Sequence, residues 1–144
     1  MKKILLPATI GFFLLSCNPR NSDKVVNDSQ QQTAEAIKEN TTVEIIDSLY
    51  NFGSVAEGEK VEYSFRFKNS GKNPLVITKT TASCGCTVPE KPEKPIMPGE
   101  TGFIKVVFDS NGKLGHNTKS ITVASNAYPP FNDLILEGEV TEKK

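Results

Sequence analysis

The run from Lys60 to Lys68, KVEYSFRFK, decides the fold of this chain. Val61, Tyr63, Phe65 and Phe67 alternate along it with charged or hydroxyl-bearing residues. An alternation with a period of two places every apolar side chain on one face of an extended chain and every polar one on the other. The run therefore predicts a half-buried antiparallel strand in a sheet with one solvated face.

The same period continues on both sides of this run, and Gly, Pro and Asn separate the segments at intervals of about ten residues. We expect further strands at Val43–Ile46, Phe52–Val55, Leu75–Thr81, Thr87–Val88, Phe103–Asp109, Ser120–Ala124 and Asp133–Val140. About seven short strands without a helical period predict an all-β immunoglobulin-like β-sandwich at residues 43–142. The aromatic side chains are expected to pack in its core, namely Phe52, Tyr63, Phe65, Phe67, Phe103 and Phe108. Four prolines at 89, 92, 95 and 98 exclude a central strand in that region.

The N-terminus carries an export signal. Lys2 and Lys3 precede a mostly apolar run from Ile4 to Leu15, which is short for a membrane span and typical of a signal peptide. The run ends in Leu-Leu-Ser-Cys, which resembles the lipobox of bacterial lipoproteins. The resemblance implies that residues 1–16 are removed and that Cys17 receives diacylglycerol and an N-acyl lipid, which would anchor the chain to a membrane.

Residues 17–42 contain few apolar side chains and several Asn, Ser and Gln residues, so they cannot offset the entropy of ordering. We expect a flexible tether of about 25 residues with a reach of about 25–30 Å. Asn18 follows the lipidated cysteine where an aspartate would resemble an inner-membrane retention signal. The chain is therefore expected at the outer membrane, facing the periplasm.

The charge balance and the residue content argue against several classes of function. Seventeen basic residues balance seventeen acidic ones, so no net charge attracts nucleic acid. The single histidine, His116, is expected in a loop between glycines, where a general base for hydrolysis is poorly placed. Carboxylates that could act in pairs fall on turns or polar strand faces, namely Glu57, Glu59, Glu62, Asp109 and Glu137. We expect no enzymatic activity, no nucleic-acid partner and no cofactor beyond the lipid.

Six short motifs occur in order along the domain: Phe52–Val55, Phe67–Gly71, Pro74–Ile77, Ser83–Thr87, Pro98–Glu100 and Ile121–Asn126. Over about residues 44–139 they resemble a large family of bacterial domains of unknown function that is common in Gram-negative lipoproteins. That family is similar to immunoglobulin-like domains of the Hydin and major-sperm-protein types. The resemblance implies a fold and a location, and no activity can be inferred from it.

Cys84-Gly85-Cys86 is the motif whose side chains could react or bind a metal, and three interpretations fit it. A bend that Gly85 permits would bring the two sulfurs within bonding distance, although so small a ring stabilises by only about 1–2 kcal/mol. Reduced, the pair could hold Cu(I) or zinc, with Met97 or His116 as further ligands. A third alternative is redox exchange with other thiols. In each case we expect the pair near the surface, close to the turn between residues 89 and 98.

Two functions therefore compete. The first is a membrane-anchored envelope lipoprotein whose domain binds another envelope protein or a glycan. The second is a thiol-based metal or redox protein that uses Cys84 and Cys86. The sequence alone favours the first.

Overall fold

The computed structural model describes residues 39–143, which form eight β-strands and no helix. The predicted signal peptide, Cys17 and the tether up to residue 38 lie outside the described residues. Within residues 39–143 no helix is long and apolar enough to span a membrane. The strands are β1 (Val43–Ile45), β2 (Leu49–Ala56), β3 (Lys60–Asn69), β4 (Ile77–Ala82), β5 (Thr87–Glu90), β6 (Thr101–Asp109), β7 (Gly115–Ser125) and β8 (Leu134–Thr141).

The strands form two four-stranded sheets that pack as a sandwich, with strand orders β1-β3-β6-β5 and β2-β8-β7-β4. All neighbours are antiparallel except β2 and β8, which run parallel. The predicted all-β immunoglobulin-like sandwich is confirmed. Strand β5 contains Pro89 and lies at the edge of its sheet, where the missing N–H breaks no pairing.

The core lies between the two sheets and follows the period of two. Phe65 and Phe67 of β3 are buried, and Ile104, Val106 and Phe108 of β6 lie beside them without solvent exposure. The facing sheet contributes Ile121, Val123, Leu134, Leu136 and Val140. Because each buried aliphatic or aromatic side chain contributes about 1.5–3 kcal/mol, this layer is the main source of stability.

Aromatic rings join the two sheets near the middle of the sandwich. The rings of Tyr50 and Tyr63 stack with centroids 3.8 Å apart, and Tyr63 meets Phe65 edge to face at 4.9 Å. Phe52 lies 5.7 Å from Phe108. The predicted core position of these rings is confirmed.

Phe103 is the exception, since 51% of its surface is exposed. Its neighbours Gly102 and Ile104 are buried, so alternation turns Phe103 to the outer face of β6, where it pairs with Arg66. The prediction that Phe103 packs in the core was wrong. The alternation along the strand decides which face the Phe103 side chain occupies, even though its ring is apolar.

Several strands begin at other residues than expected, among them β2 at Leu49 and β6 at Thr101. Strand β4 starts at Ile77, because Leu75 instead forms an isolated antiparallel bridge with Ile96 on the other side of the sandwich. Strand β7 starts at Gly115 and pairs with β8 from that residue onward. His116 therefore lies in a strand opposite Glu139, and its predicted loop position was wrong.

The chain enters the sandwich at Glu39–Thr41, the last part of the predicted tether. The Thr41 N–H donates to the Asn126 carbonyl (3.1 Å), and the Tyr128 N–H donates to the Thr41 carbonyl (2.8 Å). The Thr41 hydroxyl also donates to Asn69 Oδ1 (2.9 Å), and Thr41 is buried. Ordered contacts therefore begin a few residues before β1. We call this end of the sandwich, with Thr41, Asn69 and Asn126, the tether end.

Two buried asparagines hold the loops of the tether end. The Asn69 amide donates to the carbonyls of Asn73 (2.9 Å) and Ile96 (2.8 Å), and its Oδ1 accepts the Gly71 N–H (3.1 Å) as well as the Thr41 hydroxyl. Asn126 Oδ1 accepts the N–H of Val76. Its amide donates to the carbonyls of Glu39 and Pro74. The Asn residues of the family-like motifs thus have a structural role, because each satisfies buried backbone groups.

Candidate functional site

Cys84 and Cys86 lie in the tight loop between β4 and β5, at the end of the sandwich opposite Thr41. They form a disulfide with their Cα atoms 5.4 Å apart. The Thr87 N–H donates to the Cys84 carbonyl at 3.3 Å, and the Asp109 N–H donates to the Cys86 carbonyl at 2.9 Å. Both cysteines are half-buried. We call this region the disulfide end.

The ten-residue strand β3 runs from one end to the other and spans about 30 Å. Lys60 begins it near the disulfide, and Asn69 ends it beside Thr41. The disulfide is therefore presented on the side of the domain away from the point where the chain enters.

The loop is held by its neighbours as well as by the disulfide. The Ser83 N–H donates to the Ser120 carbonyl (2.9 Å), and the Ser120 N–H donates back to the Ser83 hydroxyl (3.1 Å). The Cys86 carbonyl is fixed to the end of β6 through Asp109. Both ends of the Cys-Gly-Cys segment are thus tied to the sandwich independently of the sulfur bond.

Gly85 has a different role from the one expected. Its φ is not positive, in contrast to five other glycines of the described residues, and a Cβ added at Gly85 would meet open space. The bend therefore requires no glycine, and the expectation that Gly85 permits it was wrong. Neither the backbone conformation nor a close neighbour outside the loop therefore requires glycine at this position.

Thr87 contacts both sulfurs from the inner side. Its buried hydroxyl lies 3.6 Å from Cys84 Sγ and 4.0 Å from Cys86 Sγ, within hydrogen-bonding range for sulfur. Cys86 packs against the hydrophobic core, whereas Cys84 is not among the residues packed against it. The two sulfurs thus lie in unequal surroundings.

A groove of about 370 Å³ opens beside the disulfide. Gly85, Cys86, Val88 and Val107 form its apolar part, and Lys60, Asp109, Asn111 and Lys113 form its polar part. Two lysines against one carboxylate leave it with an excess positive charge. Asp109 is also engaged as a cap, since its Oδ1 accepts the Asn111 N–H at 3.0 Å.

The structure does not bring the other suggested metal ligands to the cysteine pair. Met97 lies at the tether end, where its N–H donates to Glu100 Oε2. His116 lies on β7, with Nδ1 3.8 Å from Glu139 Oε2 and Nε2 3.3 Å from the Thr118 hydroxyl. Residues 39–143 contain no group of three or more His, Cys, Asp or Glu side chains placed to hold a metal ion. The four suggested ligands therefore do not form one site.

The carboxylates named from the sequence each have a local partner. Glu57 accepts the Gly112 N–H at 2.9 Å, and Glu59 accepts the Ala56 N–H at 3.2 Å. Glu62 lies 3.1 Å from the Lys105 ammonium, and Glu137 accepts from the Asn51 amide at 3.5 Å. These contacts brace turns and strands of the sandwich.

A second feature was missed from the sequence, namely an apolar strip on the outer face of β5 and β6. Val88 pairs with Val107 there, and Phe103 lies on the same face two side chains further along β6. A groove of about 270 Å³ that includes Phe103, Pro92 and Lys105 continues the strip. We call Val88, Phe103 and Val107 the β5–β6 strip. The alternation in β6 could have revealed it, because Ile104, Val106 and Phe108 already fill the inner face.

The family described as "Protein of unknown function (DUF1573)" matches residues 43–140. Among solved structures, a protein of unknown function from Porphyromonas gingivalis W83 is similar, with a TM-score of 0.62 and 16% identity. The alignment covers 70% of this chain and 47% of that one, so this chain spans about half its length.

PapD-like domain 7 of human CEP192 is also similar, with a TM-score of 0.55 and 14% identity over 73% of this chain and 89% of that domain. At such identities the likeness concerns the fold alone. No curated protein matches the sequence significantly.

Proposed function

We propose that this chain, which belongs to the family described as "Protein of unknown function (DUF1573)", is a lipid-anchored envelope protein whose immunoglobulin-like domain is a binding module. The β5–β6 strip is the observation that carries this proposal. Phe103 and Val88 are exposed by 51% and 57%, although both lie in regular strands. Apolar side chains grouped on a rigid sheet face, with polar residues around them, are typical of interaction sites.

The strip favours a protein as partner. An exposed aromatic ring beside aliphatic side chains suits the apolar anchor residues of a protein interface. Lys105 and Glu90 face each other across β5 and β6 between the Val88–Val107 pair and Phe103, so the strip includes a charged pair that a protein partner could match with polar groups. A glycan partner is the alternative, and the binding experiment below separates the two.

The lipobox-like segment that ends at Cys17 supports the proposed lipid anchor. Lipid on Cys17 would hold the chain at the outer membrane, and the tether would let the domain reach about 25–30 Å into the periplasm. The tether joins the sandwich at Thr41, so the disulfide end is the end of the domain farther from the point of attachment, and the strip runs from Val88 near that end to Phe103 nearer the tether end.

Labelling with palmitate tests the anchor. Wild-type protein should take up label and partition with membranes, whereas Cys17→Ser should take up none and remain in the aqueous phase or be poorly exported. The domain should fold in both, because it makes no use of Cys17. Wild-type protein without label and without membrane partitioning would refute the lipid anchor. Protease treatment of intact cells should leave the domain uncut if it faces the periplasm.

Site-specific photo-crosslinking in cells tests the binding module. A photoreactive residue at position 103 should give one defined protein adduct. The same residue at Thr122, which is exposed on the outer face of the other sheet, should not. Equal adducts at both positions, or none at 103, would contradict the proposal. Loss of the adduct after glycosidase treatment would identify a glycan instead of a protein.

A further inference from the structure

We propose that the Cys84–Cys86 disulfide is exchangeable and accepts an electron pair from the dithiol of a partner protein. This activity goes beyond the binding role and depends on neither the lipid anchor nor the β5–β6 strip. It rests on four features of the disulfide end: open access, a groove with excess positive charge, a hydroxyl beside the sulfurs, and a loop that needs no sulfur bond to keep its place.

Access is provided on the groove side. Cys86 lines the groove of about 370 Å³ together with Gly85, and a Cβ added at Gly85 would meet no atom beyond its two chain neighbours within 4 Å. A disulfide that is to be exchanged must admit a third sulfur, and a buried one cannot. A partner thiolate can therefore reach Cys86 from the groove.

The charge of the groove suits an incoming thiolate. Lys60 and Lys113 line it together with Cys86, and Asp109 is the one carboxylate among its lining residues. A nearby ammonium favours the thiolate over the thiol, and the thiolate is the attacking species. The groove thus favours the reactive form of a partner cysteine next to Cys86.

Thr87 is placed to assist the leaving sulfur. Among residues 39–143 its buried hydroxyl has the two sulfurs as its hydrogen-bond partners, and Cys84 Sγ at 3.6 Å is the nearer one. When Cys86 is attacked, the bond to Cys84 breaks and Cys84 leaves as a thiolate. A hydroxyl that donates to this thiolate lowers its basicity, and a less basic thiolate leaves faster.

The reaction balances with the partner dithiol as reductant. One partner thiolate bonds to Cys86 Sγ, and Cys84 Sγ takes the electron pair of the broken bond and then a proton. The second partner thiolate attacks the partner sulfur of this mixed disulfide, and Cys86 leaves as a thiolate and is protonated. The partner ends as a disulfide, and this chain ends as the dithiol with two electrons and two protons gained.

The reduced form should keep its fold. Ser83 is fixed to Ser120, and the Cys86 carbonyl is fixed to the Asp109 N–H, so the loop retains its attachments without the disulfide. The ring encloses three residues, and a ring so small constrains the unfolded chain little. Reduction and unfolding are therefore separable in this domain.

The first test is reduction of the folded wild-type protein. The full chain is titrated with dithiothreitol, new thiols are alkylated with a maleimide and located by peptide mass spectrometry, and folding is followed by circular dichroism. We expect Cys84 and Cys86 to be labelled while the β signal is unchanged. Labelling that appears only after denaturant has unfolded the domain would overturn the proposal.

The second test separates exchange from simple exposure. With glutathione as the attacking thiol, Thr87→Val should slow the opening of the disulfide about threefold or more, because it removes the hydroxyl and keeps the side-chain shape. Thr81→Val is the matched control, since it makes the same substitution at an exposed position of β4 whose hydroxyl contacts neither sulfur, and it should react at the wild-type rate. Equal rates for Thr87→Val and wild type would overturn the role of Thr87 and, with it, the assisted exchange.

Discussion

Replacement of Asn69 by alanine should destabilise the domain more than any change at the disulfide. The Asn69 side chain is fully buried at the tether end and takes part in four hydrogen bonds. It donates to the carbonyls of Asn73 and Ile96, and it accepts from the Thr41 hydroxyl and the Gly71 N–H. Through these bonds one residue joins three separate segments of the chain.

The expected cost can be worked out from these bonds. A hydrogen bond within a protein contributes about 1 kcal/mol net, and a buried group left without its partner costs about 1–3 kcal/mol. Some of the freed groups are near the surface and can bond to water after a small shift, which reduces the sum. We therefore expect Asn69→Ala to lower the free energy of unfolding by about 2–4 kcal/mol, a large part of the total of about 5–15 kcal/mol for a domain.

Urea denaturation of the chain from residue 18 onward, followed by circular dichroism, measures this cost. Asn73→Ala is the matched control, because its amide makes an exposed bond to the Asn40 carbonyl and should cost below about 1 kcal/mol. Asn69→Ala should also increase proteolytic cleavage near Thr41. A loss below about 1 kcal/mol, or one equal to that of Asn73→Ala, would show that the network does not hold the tether end.

Three further changes have distinct expected outcomes in the same assay. Gly85→Ala should be neutral or stabilise by about 0.4–1 kcal/mol, because its Cβ meets open space; a clear loss would contradict this. Gly102→Ala should cost about 1–3 kcal/mol, because the new methyl would press on the Phe67 ring. The hydrogen bond from Arg66 lowers the pKa of the Asp47 carboxyl, so its stabilisation is present at neutral pH and is lost as the pH falls through that lowered value. Asp47→Asn should therefore cost about 0.5–1 kcal/mol at pH 7 and little in strong acid; an equal cost at both pH values would contradict this.

The period of two in β3 and β6 was sufficient to predict the fold, because it fixes which side chains face the partner sheet. What the period could not supply was the pairing of strands distant in sequence. The parallel contact of β2 with β8 joins Tyr50 to Leu136, and no local pattern specifies that partner. The start of β7 was missed for the same reason, since the segment from Gly115 is extended through its pairing with β8 and not through its own apolar pattern.

The candidate site was predictable only in part. Cysteine spacing predicted a tight loop at Cys84 and Cys86, and the structure has one there. The proline-rich turn was expected beside this loop, and that expectation was wrong, because β5 leads the chain away from the disulfide and the turn lies at the tether end. Met97 was proposed as a ligand from its residue type, yet the loop that carries it is fixed at the opposite end by Glu100. Whether two loops lie at the same end of a sandwich depends on the order and direction of the strands, and the sequence does not show these directly. The contact of Thr87 with both sulfurs could not be predicted from the sequence either, because it depends on the Thr87 side chain facing the interior at the start of β5.

The two ends of the domain differ in the interactions that hold their loops in place. Buried amide groups need hydrogen-bond partners, and at the tether end Asn69 and Asn126 have theirs in Thr41, Glu39 and the neighbouring loops. An exchangeable disulfide needs open surroundings and a fold that does not depend on it, and the disulfide end, with its half-buried sulfurs and independently fixed loop, meets both conditions. The ten residues of β3 separate the two ends by about 30 Å, so a partner thiol that meets Cys86 approaches the domain at the end farther from Thr41.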